Sequence, residues 1–538
     1  MSQDERSTRR AFIGRAAVMA AIPAAAGVGV VIYAENSGSP SGPVRAPRPA
    51  RPARTARTAS ASPRPVAENA KPGDPGWNIT QLGAAEAIVG YAGQSSVLAG
   101  EPVTLFVSTS ARSFRVLAFR MGWYSGDLAR LVWQSPGVRG GRQRGPSLRP
   151  GTNTVAANWG PSLTVPTDDW PAGSYLLRLD AETGAQRFIP LTIRSPSTAG
   201  RVVIKNSVST WQAYNMWGGY DLYNGPSGLA DYDNRSLAVS LDRPYDLTGA
   251  YLFLAHERNL IQLAERIGVP LAYETSMDLA ADPGLLAGAT ALISGGHDEY
   301  WTPAERANVT AARDAGVNLA FLGANAMFRR IRLAGSALGP SRLVICYKTS
   351  YERDPMYGKD DALVTNDYRE PPDPHPESAV TGVLYESNPT DAAYVVTRPD
   401  AWMFQGTGVA AGTRFPGLVG IEYDRVNPDY PVPRPIEIVA HSPLTCRGVN
   451  SYSDTAYYTH PGGAGVFAAG TMRWVRSMTG NIGFGITLKT AWFTRRVTAN
   501  VLRAFADGPA AARFPARDNL DAVREWAGDP IAARHSLW

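Results

Sequence analysis

The segment Ser294-Gly-Gly-His297-Asp298-Glu299-Tyr300-Trp301 sets three ionisable side chains in a row, directly after the apolar run 289–293. Imidazole and carboxylates are costly to desolvate. Their release together at the end of an apolar strand points to a metal, a substrate or a proton-transfer task rather than to packing. The plain alternative is a solvated loop with a helix cap, because Thr302-Pro303-Ala304-Glu305 has the signature of a helix start. That cap is complete without His297 or Glu299, which favours chemistry.

Three more polar and aromatic segments follow strand-like runs: Thr210-Trp-Gln-Ala-Tyr214-Asn215, Ser240-Leu-Asp242-Arg243-Pro-Tyr245 and Leu322-Gly-Ala-Asn325. In a parallel sheet the loops at neighbouring carboxyl ends converge on one crevice. Tyr214, Tyr245, His297, Glu299 and Asn325 are therefore expected to face a common space. Two phenols and a carboxylate are hard oxygen donors suited to a hard cation such as ferric iron, beside which a phenol ionises well below its usual pKa of about 10. A Gly-x-Ser-x-Gly elbow, a phosphate-binding loop and a dinucleotide fingerprint are absent, and His-x-Glu alone is too short for a zinc motif. Each single tyrosine, one of 23, has core packing as its alternative; the combination carries the inference.

The elements that must position these groups fall into two parts. From residue 199 short apolar runs (201–204, 270–273, 289–293, 317–322) alternate with helical spacing over 253–267 and 303–315. This predicts an α/β doubly wound domain, flavodoxin-like or glutamine-amidotransferase-like, over 199–510. Residues 340–475 read as extra strands and Pro-rich excursions, 488–506 as a closing amphipathic helix, and 511–538 as a tail. Residues 74–196 read as all-β, with runs at 102–107, 114–120 and 174–179 between Gly and Pro turns. An immunoglobulin-like sandwich is expected there. Its segment Met121-Gly-Trp-Tyr-Ser-Gly-Asp127 is either a binding loop or aromatic packing against the second domain. Cys346 and Cys446, the two cysteines of the chain, are free or paired on this reading.

The N-terminus reads as targeting. Thr8-Arg9-Arg10-Ala11-Phe12 resembles a twin-arginine signal, followed by the uncharged run 16–34. Residues 35–73, rich in Pro, Arg and Ala, read as a disordered spacer. An extracellular or envelope location near a membrane or cell wall is expected. Charge follows the same division. Residues 1–70 carry ten basic and four acidic residues and the remainder 43 of each, so the net +6 belongs to the signal and spacer. Nothing in that balance supports nucleic-acid binding.

The stretches TWQAYN (210–215), LDRPY (241–245), GGHDEYW (295–301), FLGANA (321–326) and GIEYD (420–424), with the preceding MGWYSGD, resemble the N,N-dimethylformamidase large (beta) subunit family. The resemblance spans roughly 75–505. It implies an amide hydrolase with mononuclear, ferric iron held by two tyrosines and a glutamate. Glu299 matches the carboxylate; Tyr214 and Tyr245 match the tyrosines, with Tyr223 a rival for one of them. His297 and Asn325 match substrate-orienting positions, and Glu422 a carboxylate for proton transfer. Export sets this chain apart from a cytoplasmic dimethylformamide-degrading enzyme, so its substrate is expected to be another small or medium-sized amide. A non-catalytic envelope or glycan-binding protein that keeps the fold is the rival reading.

Overall fold

The computed structural model describes residues 68–526. The expected signal (1–34), most of the spacer and residues 527–538 lie outside them. The first part consists of two facing antiparallel-rich sheets. One pairs Val103–Thr109 with Ile88–Ala92 on one side and Leu163–Val165 on the other; the second is built round Gly173–Ala181, which pairs with Ser113–Met121 on one side and Gln186–Ile193 on the other. Alternating apolar residues of both sheets, including Ile88, Leu105, Val116, Leu177 and Ile189, close the core between them. Trp170 and Tyr175 brace one end of the sandwich: the rings stack at 5.1 Å, and the Tyr175 hydroxyl donates to the Pro171 carbonyl at 2.6 Å.

The second part is organised by a seven-stranded mixed sheet. Its strands are β1 (Val202–Asn206), β2 (Leu271–Thr275), β3 (Ala291–Ser294), β4 (Asn318–Phe321), β5 (Ile436–Cys446), β6 (Val449–Thr459) and β7 (Gly465–Ala468), in spatial order β2-β1-β3-β4-β7-β6-β5. The four short early strands are Val/Ile/Leu/Ala-rich and buried on both faces, as parallel strands are. Helix α1 (Val208–Ala213) follows β1, and α2 (Pro303–Asp314) follows β3 with the expected Thr302 cap, whose hydroxyl accepts the Glu305 N–H at 3.0 Å. Helix α3 (Leu488–Ala506) starts at a Thr487/Thr490 capping box and buries Phe493, Val497, Val501 and Phe505.

The expected α/β doubly wound domain is corrected by this architecture. The molecule is β-rich, with strands spread over seven sheets among the described residues and few, mostly short helices. The β/α alternation of 201–322 does not continue. The chain between β4 and β7 is mostly strands and loops, including Arg332–Ser336 with Gly339–Ile345 and the long antiparallel pair Leu384–Val395 and Arg414–Arg425. Pro340, Pro389 and Pro416, with Gly417 and Gly420, interrupt any helical register in these segments, which pair as strands instead.

The two parts share an interface of buried polar groups. Arg120 donates to Glu265 at 2.6 Å, and the Tyr273 hydroxyl donates to the same carboxylate oxygen at 2.5 Å. Ser174 and Thr192 of the sandwich both donate to Asn206 of β1, at 2.7 and 2.8 Å. The 121–127 segment packs here: Tyr124 is buried with its hydroxyl on Arg120, and Trp123 lies under Arg266. Residues 68–73 join the same interface, since Asn69 accepts the Trp123 N–H at 2.9 Å and Glu68 accepts from Arg130 at 2.7 Å. Cys346 and Cys446 are both buried and free.

Candidate metal centre and active site

The loops at the carboxyl ends of β1, β3 and β4 meet above the sheet. Gly323 shows how closely: a Cβ there would sit 2.1 Å from the Gly296 carbonyl oxygen, so only glycine lets the two loops touch. The two-residue strand Tyr300–Trp301 pairs with Arg329–Arg330, and His297 bridges Ala324, which fixes the first loop against the second. Asn325 takes a left-handed conformation (φ 60°), tolerable for Asn, and its N–H donates to Asp424 at 2.8 Å.

The row His297-Asp298-Glu299 divides into separate tasks. Asp298 is an anchor. Its carboxylate accepts Lys205 Nζ at 2.8 and 2.9 Å and Ser294 Oγ at 2.7 Å, while Lys205 also pairs with Glu305 and lies 3.4 Å from the Trp301 ring centre. Lys205, Asp298 and Glu305 are all buried. The anchor points the flanking side chains the other way, into a cluster of oxygens.

In that cluster Glu299 accepts the Tyr214 hydroxyl at 2.5 Å and the Tyr223 hydroxyl at 2.8 and 2.9 Å. The two phenol oxygens are 2.9 Å apart, and the Tyr300 hydroxyl donates to Tyr223 at 2.7 Å. Arg329 donates to Glu299 at 3.1 Å and pairs with Asp367 on its far side. Lys348 donates to the Leu222 carbonyl at 2.8 Å with its ammonium 3.0 Å from the Tyr223 ring centre. His297 Nε2 lies 3.7 Å from Glu299, and its buried Nδ1 has no partner. Asn325 donates to Glu422 at 2.8 Å, and its own carbonyl oxygen is buried and unpartnered.

Electrostatics follow from burial and from this charge layout. Burial pushes the Glu299 carboxyl up, but the Arg329 guanidinium beside it, helped by the Tyr214 hydroxyl bond, outweighs that and holds the group below the usual carboxylate range. Burial and then the Glu299 charge push Tyr214 and Tyr223 well above the usual phenol value. Glu422 is pushed well above its usual range by burial, reinforced by Glu299. Burial lowers His297, which keeps it neutral.

The structure thus brings together Tyr214, His297, Glu299, Asn325 and Glu422. It does not bring Tyr245, whose ring sits edge-on to Trp211 at 6.4 Å, near Gln212 in the seam between the two parts. Tyr223, the rival, occupies the second phenol position. Tyr300, Arg329 and Lys348 were missed by sequence reasoning. Tyr300 stands beside Glu299 in the motif itself, whereas the two cations arrive from distant segments and carry no local signal.

The oxygen-donor arrangement fits a hard cation. Two phenol oxygens and a carboxylate converge within hydrogen-bonding distance, and among the described residues no group of His, Cys, Asp and Glu alone is placed to hold a metal. The chain belongs to the family described as N,N-dimethylformamidase beta subunit-like, C-terminal, whose model matches residues 115–484, and with it to the dimethylformamidase-like hydrolases. No curated protein sequence matches the chain. A crystal structure of a cycloisomaltooligosaccharide glucanotransferase from Paenibacillus sp. complexed with cycloisomaltoheptaose is similar at 13% identity over 25% of this chain and 18% of that one, with a TM-score of 0.14, too low to bear on fold or function.

Proposed function

We propose that the protein is an exported hydrolase of an amide carbon–nitrogen bond, with Tyr214, Tyr223 and Glu299 as the holders of a mononuclear ferric iron. The observation that carries this reading is the convergence of those three oxygens, 2.5–2.9 Å from one another, in a site lined by a neutral histidine, an asparagine and a raised carboxyl. Iron bound there supplies Lewis-acid polarisation of a carbonyl and ionises its phenol ligands.

The chain's own residues account for the remaining tasks. Arg329 keeps Glu299 anionic and fixes its orientation. The Asn325 amide, held by the Asp424 contact at its backbone, is the donor for an amide carbonyl oxygen. Neutral His297, with a free Nδ1, orients the attacking water. Glu422, whose carboxyl burial holds well above its usual range, is the acid that delivers a proton to the departing nitrogen. In balance, water adds to the carbonyl carbon, the C–N bond breaks as the Glu422 proton passes to the nitrogen, one proton of the added water returns to Glu422, and acid plus amine leave. Tyr214 and Tyr223 are half-buried, the least enclosed of the three proposed ligands.

A screen of small and N-acyl amides, read by amine release, tests the reaction. Glu422→Gln is expected to lower kcat by about 100-fold or more while leaving iron content unchanged. Unchanged turnover in that variant would remove Glu422 from proton transfer, and no amide turned over by iron-loaded protein would remove the activity.

A further inference from the structure

The outer surface of α3 carries a feature the amide chemistry does not use. From Arg473 to Ala506 the chain holds six basic residues and no acidic one, although the chain beyond residue 70 is balanced in charge. Among the described residues no carboxylate lies within ion-pair distance of Arg476, Lys489, Arg495 or Arg496; Arg473 alone is paired, with Asp391 at 2.7 Å. Three large apolar side chains stand on the same surface: Phe484, Leu488 and Trp492 are 52%, 61% and 51% exposed. Leu488 and Trp492 are four residues apart on one helix face, with Lys489 and Arg496 beside them. The inner face of the helix is meanwhile fully committed to the core through Phe493, Val497 and Val501.

We infer that this face docks on an anionic lipid surface. Exposed Trp, Leu and Phe ringed by unpaired Lys and Arg match the interfacial layer, where rings and aliphatic side chains enter the acyl boundary and cations meet phosphate oxygens. The charge complementarity singles out an anionic membrane over a neutral one. Among the described residues no helix is long and apolar enough to cross a membrane, and α3 meets the lipid through its exposed face alone. The patch also reaches the site. Arg473 covers the Phe484 ring at 3.8 Å and closely approaches Gly420, whose neighbour Ile421, 40% exposed, precedes Glu422. Docking would therefore set the Glu422 strand near the lipid surface. The inference stands whether or not the centre holds iron.

The test uses the full chain with vesicles of phosphatidylglycerol mixed with phosphatidylcholine, against phosphatidylcholine alone, read by pelleting and by hydrogen–deuterium exchange. Expected are binding to the anionic vesicles only and new protection over 480–496, a readout that the Arg-rich N-terminus cannot produce. The exposed pair Leu488→Ser/Trp492→Ser is expected to weaken binding by more than about tenfold, and Lys489→Gln or Arg496→Gln by about fivefold each. Absence of protection over 480–496, or binding indifferent to these variants, overturns the proposal. So does protection of 480–496 that appears on raising protein concentration without vesicles, which assigns the face to a second copy. Equal protection by a soluble poly(glycerol phosphate), independent of Trp492, overturns it in favour of an anionic polymer.

Discussion

Replacing Lys205 with Met tests how Glu299 is held in place. Lys205 Nζ is wholly buried, bonds both Asp298 oxygens at 2.8 and 2.9 Å and contacts Glu305. Glu305 is pushed up to about 8 by burial, partly offset by Lys205, while Asp298 holds the lysine through both of its oxygens. Met preserves length and packing against Trp301 but leaves the Asp298 carboxylate buried with only the Ser294 hydroxyl as donor. Breaking a buried pair from one side costs about 3–5 kcal/mol, a large part of the ~5–15 kcal/mol that stabilises a typical domain. Equilibrium urea unfolding should show that loss, followed by tryptophan emission and far-ultraviolet circular dichroism because a two-part chain need not unfold in one step. Adding Asp298→Asn to Lys205→Met removes the stranded charge, and the double variant should regain about 2 kcal/mol or more over the single one. A single-variant loss below about 1 kcal/mol, or a double variant no better than the single, would refute the anchor role of Asp298 and with it the account of how the loop is aimed.

Further outcomes follow from the same geometry. Gly323→Ala puts a methyl 2.1 Å from the Gly296 oxygen, so thermal unfolding should reveal a loss of about 1–3 kcal/mol; a neutral effect would mean the loops are not in contact. Glu257, buried beneath donors from Asn206, Ser207 and Trp211, is pushed by burial from 4.5 to about 8. The folded chain takes up a proton there that the unfolded chain releases, so its stabilising contribution is full below pH 4.5 and declines through about pH 8. Denaturation midpoints measured across that window should fall with rising pH, and Glu257→Gln should flatten the slope. Tyr245→Phe should leave iron affinity within a few-fold of wild type, since its ring lies in the inter-part seam, whereas Tyr223→Phe should reduce it by at least about 100-fold; equilibrium dialysis compares the two, and equal effects would contradict the assignment.

The centre was legible where chemistry and chain direction coincide. Glu299, His297 and Asn325 follow directly on apolar strands, so their convergence could be read from pattern alone. Tyr214 was legible for the same reason, at the end of α1 after β1. The choice between Tyr223 and Tyr245 was not, because both lie in loops whose path is set by backbone turns, such as the Asp221 carboxylate accepting the Tyr223 and Asn224 N–H groups at 2.7 Å. Asp298 looked like its neighbours in sequence, yet a lysine 93 residues away claims it. The architecture was overread: some 120 residues of β/α alternation were extended across a span that instead forms paired strands. Local periodicity identifies single elements, while the arrangement of those strands depends on pairing across tens of residues that no window contains.

Iron content and the visible spectrum of the full chain, in wild type and Tyr223→Phe, read out whether the two phenols and Glu299 hold iron. About one iron per chain is expected, with a phenolate-to-iron charge-transfer band that is lost or shifted in the variant. Protein that takes up no iron when iron is supplied during expression, or an iron spectrum that Tyr223→Phe leaves unchanged, would contradict that assignment.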